Sequence, residues 1–243
     1  MDVLKKNNVS LKSSLDFPCS YIVGNKERRL YVNFKNSQKK KFLITEFTKN
    51  GFRRNYDHMY IPVCTNCRLC VSSRIDVQNF MLSKSNKRNL YLNKDLVLKK
   101  KVVNLNNQRF KLFKEYCQAR HNEGQMKEMN MQEFENFFYK APNKIEIYDL
   151  IDKKKELYGS ILLDILEDGY SAVYSFFNPT YNTRGLGKNL ILRIIHELKL
   201  KKKTYLYLGF WVKESKKMSY KMSFDSVQLF VNGKWLSKNL VNF

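Results

Sequence analysis

Apolar and polar residues alternate along the first third of the chain with the two periods that distinguish strands from helices. Alternation at every second residue over 30–34 and again over 71–77 predicts two half-buried strands. Between them, the apolar residues of 42–47 lie on one helical face. This helix is expected to end at Gly51, because glycine readily adopts the left-handed conformation that ends a helix. Ser83 is suited to cap a second, lysine-rich helix.

A polar stretch rich in lysine and asparagine, residues 95–108, is expected to be a linker, and the pattern changes after it. Phe110 and Cys117 share one face of a predicted helix, and Asn130 with Glu133 has the spacing of a capping box that opens the next helix. The chain is therefore expected to divide into a smaller mixed α/β N-terminal domain and a larger C-terminal domain, residues 1–95 and 104–243.

The C-terminal part continues with three strands, a helix and a fourth strand. Runs of apolar and aromatic residues predict the strands over 144–150, 158–166, 170–178 and 204–210. Asp168-Gly169 is a hairpin signal between two of them, and an apolar stripe with helical spacing covers 190–198. Two helices, three strands, a helix and a strand are the order of a GNAT-like acyltransferase domain. The predicted fold class is therefore α+β, with a mixed central sheet flanked by helices.

Composition excludes several kinds of chain. Apolar residues make up 43% and aromatic residues 14%, too many for a disordered protein, and with only 4 prolines and 9 glycines the chain is not collagen-like. No run approaches the ~18 apolar residues of a membrane-spanning helix. Residues 1–14 lack the apolar segment of a signal peptide, so we expect a cytoplasmic protein whose 5 cysteines stay reduced.

The net charge of +23 narrows the choice of partner. Residues 1–103 hold 22 basic and 7 acidic residues, so most of the excess lies in this part. A field of this sign attracts a polyanion by steering and by release of counter-ions. Nucleic acid is favoured over an anionic membrane surface, because no long basic amphipathic helix stands out.

Three cysteines, Cys64, Cys67 and Cys70, follow one another at a spacing of three, and Cys19 is available as a fourth. Such a set suits zinc or an iron–sulfur cluster. The alternative is that these cysteines are buried or spare near the start of a strand, and Cys117 is expected to be a core residue.

Two segments of the C-terminal part are candidates for binding phosphates or bases. Arg184-Gly-Leu-Gly187 precedes a helix whose first N–H groups can bind phosphate, as in the pyrophosphate loop of acetyl-CoA-dependent GNAT enzymes. An ordinary tight turn is the alternative. Aromatic residues and lysines are interleaved from Trp211 to Lys221, where they can stack on bases and bind phosphate, or pack as a strand end before a solvated loop.

Several motifs, taken together and in order, resemble the aminoacyl-tRNA–protein transferases. They are Gly51-Phe-Arg-Arg54, Tyr60-Ile-Pro62 with the cysteine spacing and Arg74, Tyr116-x-x-x-Arg120-His121, Val173-Tyr-Ser-Phe-Phe177, Leu208-Gly-Phe-Trp211 and Lys217-Met-x-Tyr-Lys221. The resemblance covers about residues 15–225 and points to the bacterial branch that transfers leucine. This chain departs from it at Gly185, where relatives usually carry Ser, and at Met222, where they carry Gly.

The resemblance implies an enzyme of the N-degron pathway, which marks proteins for degradation. Such an enzyme moves leucine from leucyl-tRNA to the α-amine of a protein that begins with Asp or Glu. No cofactor is required for the transfer, and we expect a monomer. Eukaryotic relatives bind an iron–sulfur cluster through a differently spaced cysteine set; the corresponding ligands here would be Cys19, Cys64, Cys67 and Cys70.

This reaction needs little chemical assistance, because an aminoacyl ester is already activated. The attacking α-amine has an ordinary pKa of ~7.7–8.0, so the enzyme must mainly position it. Arginine suits bidentate recognition of the acidic side chain, and a hydrogen-bonding group would handle the proton. Candidates for that group are Asp164, Tyr174, His121 and Tyr220. Candidates for binding the substrates are Arg53, Arg54, Arg74, Ser175, Arg184, Gly187, Gly209, Trp211, Lys217 and Lys221.

Three other functions stay open at this stage. The donor could be arginyl-tRNA, since the residues alone do not separate leucine from arginine. The glycine loop would also fit an acetyl-CoA-dependent N-acetyltransferase. A non-enzymatic RNA-binding module would need only the paired aromatic and basic residues. Two site candidates likewise have structural alternatives: Asp164 as a polar strand residue and His121 as a cap at the end of its helix.

Overall fold

The computed structural model describes residues 9, 11–34, 39–120 and 125–241. In these ranges the helices are α1 (Lys40–Lys49), α2 (Lys84–Leu92), α3 (Asn107–Arg120), α4 (Met131–Tyr139) and α5 (Leu186–Leu200). Short 3-10 helices cover Gln125–Glu128, Pro179–Arg184, Lys216–Ser223 and Lys238–Leu240. The strands are β1 (Leu11–Ser13), β2 (Phe17–Pro18), β3 (Lys26–Glu27), β4 (Arg29–Asn33), β5 (Arg53–Asn55), β6 (His58–Pro62), β7 (Val71–Asp76), β8 (Val97–Lys101), β9 (Ile145–Ile151), β10 (Leu157–Ile165), β11 (Gly169–Phe177), β12 (Tyr205–Trp211), β13 (Val227–Val231) and β14 (Lys234–Ser237).

A mixed sheet of eight strands forms the centre of the molecule, in the order β14-β13-β7-β12-β11-β10-β9-β8. Only β11 and β12 run parallel, and α5 connects them, while the other neighbours in this sheet are antiparallel. The predicted order of helices and strands, from α3 to β12, is confirmed. The chain is thus an α+β protein with a mixed central sheet flanked by helices.

Successive side chains of a strand point to opposite faces of the sheet, so both faces of this sheet carry part of the apolar core. On β10, Ile161 and Leu163 face the apolar stripe of α5, whereas Leu162 between them packs with the helix pair α3 and α4. A strand with both faces covered has apolar residues at successive positions rather than at every second one. Within the described part of the chain, no helix is both long and apolar enough to cross a bilayer.

A second, smaller sheet has the strand order β1-β4-β6-β5 and packs against α1. Leu43 and Ile44 of α1 contact the face of this sheet that carries Val32 and Met59. Leu166 and Tyr207 of the large sheet belong to the same apolar cluster, so α1 lies where the two sheets meet.

The local signals for helix ends are confirmed. Ser83 accepts a hydrogen bond from the third residue of its helix, Asn130 and Glu133 form a reciprocal capping box, and Gly51 follows α1 with φ of +86°. These contacts depend on neighbours within four residues, which is why short motifs predict them reliably.

The predicted linker at 95–108 is wrong for residues 97–101. They form β8, which pairs antiparallel with β9 at the edge of the large sheet. Three of its five residues are lysines, and lysine on an edge strand discourages pairing with other chains, so a polar composition concealed a strand. The division into 1–95 and 104–243 remains a prediction; β7, from the first of these ranges, lies inside the large sheet between β13 and β12.

A buried ion pair joins the two sheets. Arg54 on β5 donates from Nε to both carboxylate oxygens of Asp164 on β10, at 2.9 Å each, and the two side chains are 0% and 1% exposed. Arg54 also donates from Nη1 to the carbonyl of Tyr56. Two charges removed from water in this way are tolerable only as a pair, because each alone would lack compensation.

We expect Asp164→Ala to lower the free energy of unfolding by about 3–5 kcal/mol, because the substitution leaves the Arg54 cation buried without its partner. Urea unfolding followed by tryptophan fluorescence would measure the change. Asp16→Ala is the matched control: it removes a carboxylate that pairs with Arg28 at the surface, with side chains 36% and 41% exposed, and should cost at most about 1 kcal/mol. Equal losses in the two variants would contradict the assignment.

Candidate active site

The two parallel strands of the large sheet separate soon after they begin. β11 and β12 pair only over Gly169–Ser171 and Tyr205–Tyr207. Beyond that point each strand has an irregularity against its other neighbour: the register shifts at Val173 on β11 and at Leu208 on β12. Such bulges bend a strand and re-aim its groups. We refer to the space between β11 and β12 beyond their last paired residues, Ser171 and Tyr207, as the cleft.

Two cations bond the carbonyl groups at the two bulges. Arg53 of β5 donates from Nη2 to the carbonyl of Val173 at 2.7 Å. Lys221 donates from Nζ to the carbonyl of Leu208 at 2.8 Å and to that of Phe210. Where two strands separate, their carbonyl groups lose the hydrogen bonds between the strands. A buried carbonyl without a hydrogen bond lowers the stability of the fold. Arg53 and Lys221 supply these bonds from outside the sheet.

Lys221 belongs to the framework of the cleft rather than to its surface. The residue is buried, and its ammonium faces two backbone carbonyls. Burial lowers the pKa of Lys221 well below its usual value, and the nearby positive charge of Arg53 lowers it further. The sequence placed Lys221 among the substrate-binding candidates, whereas its contacts are those of a residue that supports β12.

Gly209 makes room for Arg53. It has φ of +71°, and a Cβ there would lie 3.0 Å from Cδ and 3.1 Å from Nε of Arg53. Its carbonyl accepts a hydrogen bond of 2.8 Å from Ser73 Oγ on β7, which fixes this part of β12. Gly209, predicted as a substrate-binding residue, therefore acts through the position of Arg53.

Tyrosines surround the guanidinium of Arg53. Tyr21, Tyr60, Tyr174 and Tyr220 all lie within electrostatic range of it. Tyr174 packs its ring against Phe137 and Phe138 of α4, and its hydroxyl lies 3.9 Å from Cys117 Sγ. Burial raises the pKa of Tyr174, so this hydroxyl keeps its proton at neutral pH.

A further tyrosine, Tyr116 of α3, extends this group. The ring of Tyr116 contacts Phe177 at the end of β11. Burial raises the pKa of Tyr116 to about 12, and the nearby Tyr220 adds to this increase. Tyr21 and Tyr116 were not among the site residues expected from the sequence. Tyr116 begins one of the family motifs, so a signal existed for it, whereas Tyr21 lies in no motif and only the fold brings it here.

Arg53 differs from the other two arginines proposed for carboxylate recognition. In the described ranges it forms no salt bridge, and it is half-buried at the cleft. Arg54 is buried and pairs with Asp164 through its Nε. Arg74 is buried, with its guanidinium 3.5 Å from the ring centre of Tyr205 and 4.3 Å from that of Trp235.

Side chains of α2 and of the residues just after it form hydrogen bonds with the glycine loop. Arg184 donates to Asn93 and pairs with Asp95, while Asn89 donates to the carbonyls of Arg184 and Gly185 at 3.1 Å each. A Cβ at Gly187 would lie 2.7 Å from the ring of Phe177. These contacts give Arg184 and Gly187 a packing role; the loop does form the start of α5, as predicted.

The remaining candidates lie at varied positions around the cleft. Ser175 follows Tyr174 on β11 and is half-buried, Trp211 is buried at the end of β12, and Lys217 is exposed in the segment before Lys221. His121 lies outside the described residues.

The cysteines of the predicted metal site lie near one another. Burial raises the pKa of Cys70 to about 12, and Glu27, Cys19, Cys64 and Cys67 add to this as nearby negative groups. Among residues 9, 11–34, 39–120 and 125–241, however, no three His, Cys, Asp or Glu side chains are arranged to hold a metal ion. The metal or cluster prediction is therefore unsupported.

Comparison with known proteins identifies the family to which the chain belongs. The profile described as arginine-tRNA-protein transferase, N terminus, matches residues 17–88, and that described as its C terminus matches residues 108–231.

Whole-length relatives agree. A protein of Saccharophagus degradans named aspartate/glutamate leucyltransferase is 31% identical over 231 residues, 95% of this chain and 98% of its own length. Relatives of the same name from Teredinibacter turnerae and a Jannaschia species are 30% and 35% identical, over 96% and 89% of this chain and 96% and 76% of their own lengths. Among solved structures, FemX has a TM-score of 0.49 at 8% identity, covering 90% of this chain and 85% of that one, too weak a likeness to carry an argument. The chain belongs to the aminoacyl-tRNA–protein transferase family and is an aminoacyltransferase.

We expect Gly209→Ala to reduce kcat/KM for aminoacyl transfer by about 10- to 100-fold, because the new methyl group displaces Arg53 and catalysis is sensitive to misplacement of about 1 Å. Gly233→Ala is the matched control. Gly233 has a similar φ of +77°, yet a Cβ there would meet nothing within 4 Å. Both variants should lose about 1–2 kcal/mol of stability from the left-handed backbone. Full activity of Gly209→Ala would remove the contact with Arg53 from the explanation.

Proposed function

We propose that this chain transfers leucine from leucyl-tRNA to the α-amine of proteins that begin with Asp or Glu, as a step of the N-degron pathway. The observation that carries the proposal is Arg53, a guanidinium at the opening of a tyrosine-lined cleft that, within the described residues, no carboxylate neutralises. The named activity of the relatives supports leucine rather than arginine as the transferred residue.

Arg53 would bind the acidic first side chain of the acceptor protein. One of its nitrogens is held by the carbonyl of Val173, which fixes the plane of the guanidinium and leaves other N–H groups for a carboxylate. Arginine is suited to such two-point contacts, which select a carboxylate over an amide. Because the cleft is lined by neutral tyrosines, this charge is only weakly screened by water.

The transfer itself would follow from position and hydrogen bonding. The neutral α-amine attacks the ester carbonyl carbon of leucyl-tRNA, a C–N bond forms, and the C–O bond to the ribose breaks. The amine loses a proton and the ribose oxygen leaves as a hydroxyl group. Tyr174 and Tyr220 would donate hydrogen bonds to the oxygen atoms on which negative charge develops. A tyrosine with a raised pKa suits this donor role and is a poor base at neutral pH.

Binding of tRNA would rest on the excess of cations. The net charge of +23 and the exposed Lys217 beside the cleft suit the phosphates of an acceptor stem. The reaction as written needs no cofactor, and we assign the cysteines no part in it. An acetyl-CoA donor is less favoured, because the guanidinium of Arg184 is bonded to Asn93 and Asp95 instead of lying open to a pyrophosphate. A cytoplasmic monomer remains our expectation.

We expect Arg53→Gln to reduce kcat/KM for a peptide beginning with Asp by about 10- to 100-fold. This loss corresponds to the roughly 1.5–3 kcal/mol that a hydrogen bond to a charged group contributes. For a peptide beginning with Asn the loss should be smaller, since only the bond to the Val173 carbonyl is affected, so discrimination between the two peptides falls. Steady-state transfer from labelled leucyl-tRNA measures both rates.

Arg28→Gln is the control for loss of one positive charge, since Arg28 is exposed and pairs with Asp16 away from the cleft. It should leave discrimination intact. If Arg53→Gln still prefers Asp over Asn as strongly as the unaltered enzyme, Arg53 does not read the carboxylate.

The pH dependence follows from the same assignment. Attack requires a neutral amine, so kcat/KM should rise about tenfold per pH unit below ~7.7–8.0 and level off above it. No fall is expected before about pH 10, because Tyr116 has a pKa raised to about 12 and the pKa of Tyr174 is also raised. Initial rates corrected for spontaneous ester hydrolysis give the profile. A decline centred between pH 8 and 9.5 would point to an acid other than these tyrosines.

A further inference from the structure

One face of the small sheet carries a row of cationic and aromatic residues that ends at the cleft. The strand registers place Lys12 of β1 opposite Tyr31 of β4, Tyr31 opposite Tyr60 of β6, and Tyr60 opposite Arg53 of β5. Directly opposite residues share a face of the sheet. The row crosses three strand spacings, about 14 Å, and its last member is the arginine of the proposed active site.

The opposite face of this sheet is already occupied. Leu11, Val32 and Met59 point toward α1 and belong to the apolar cluster between the two sheets. Because successive side chains of a strand alternate between faces, the residues of the row must point away from that cluster. This face and the cleft therefore lie on the same side of the small sheet.

A second row runs beside the first. Asn33 lies opposite His58, and His58 opposite Asn55. The rings of His58 and Tyr31 meet edge to face, with 5.3 Å between their centres and 76° between their planes. The side chain of His58 is 24% exposed, Tyr31 is half-buried and Lys12 is exposed, whereas Tyr60 is buried with its ring against Phe210.

The charges on this face are mostly positive. Arg29 lies over the ring of Tyr60 at 4.4 Å and bonds Glu27, whose own side chain is only 1% exposed. Asp57, in the turn after β5, lies 3.4 Å from Nδ1 of His58. Lys12 and Arg53 form no salt bridge within the described residues, so the two ends of the row keep their charge.

We propose that this face binds the single-stranded 3′ end of the donor tRNA, with bases stacked on Tyr31 and His58, a phosphate near Lys12, and the esterified terminus directed to Arg53. The inference rests on the proposed function. Aromatic rings accept any base by stacking, and neighbouring cations bind the backbone, which is the usual composition of a surface for single-stranded nucleic acid.

The competing occupant, the polypeptide acceptor, fits this face less well. An extended peptide gains its affinity by adding to a sheet edge, where N–H and C=O groups are unpaired. The row lies on a face whose inner strands, β4 and β6, are paired on both sides. A peptide with an acidic first residue would need only Arg53 at the end of the row.

The test is binding of two RNAs, leucine-specific tRNA and the same tRNA trimmed of its single-stranded 3′ nucleotides, to the full-length protein. We expect Tyr31→Ala and His58→Ala each to weaken binding of the intact tRNA by about tenfold, within the range measured for loss of one stacked base. Binding of the trimmed tRNA should not change. Tyr91→Ala is the control, since Tyr91 is an aromatic residue of α2 that is 70% exposed and lies outside the small sheet.

Lys12→Ala provides a second measurement that does not depend on aromatic packing. It should weaken binding of intact tRNA and reduce the slope of log affinity against log salt by about one. Urea unfolding of each variant separates lost binding from lost folding.

The possible outcomes are distinct. If Tyr31→Ala and His58→Ala bind intact tRNA as tightly as the unaltered protein, or lose as much affinity for the trimmed tRNA, the proposal for this face is wrong. If they bind both RNAs normally but raise KM for the Asp-initiated peptide, the face serves the acceptor instead, and the proposal is also wrong. If the unaltered protein binds no tRNA, the proposed function itself fails.

Discussion

The separation of β11 from β12 is the constraint on which the rest of the molecule depends. A parallel pair that diverges leaves backbone carbonyls without ladder partners inside the protein, and such groups must be bonded by something else. Here Arg53 bonds the carbonyl of Val173 and Lys221 bonds those of Leu208 and Phe210. Since Arg53 comes from the small sheet, the N-terminal part of the chain supplies one of these bonds.

Two adjacent arginines show how one strand serves both stability and the site. On β5, Arg53 and Arg54 point in opposite directions, as successive strand residues do. Arg54 pairs with Asp164 and links the sheets, whereas Arg53 is held by a neutral carbonyl and, within the described residues, forms no salt bridge. The buried pair stabilises the junction, and the uncompensated cation lies at the point where the two sheets meet. A carboxylate near Arg53 would remove the charge that the proposed recognition of an acidic first residue requires.

The glycine loop and the cysteines show the limits of reading chemistry from a motif. The loop begins α5 as its sequence predicts, yet the guanidinium of Arg184, which could have met a phosphate, bonds Asn93 and Asp95. The cysteines lie near one another, yet not in an arrangement that holds a metal ion within the described chain. The loop motif was correct about local conformation, while the bonding of Arg184 depended on residues about 90 positions away.

The sequence by itself determined the elements whose causes are local: the caps at Ser83 and Asn130, the end of α1 at Gly51, and the order of helices and strands from α3 to β12. Its motifs also identified the family. Among the strands that it missed, β8 pairs with β9 at Val97↔Ile151, a distant partner that a single segment does not reveal. The tertiary structure alone decided that Arg53 reaches the cleft while Arg54 and Asp164 form a buried pair, and that Tyr21 joins the site. The reason is physical: the burial and bonding of a side chain are set by neighbours that are distant in sequence, whereas caps and periodicity are set by neighbours within a few residues.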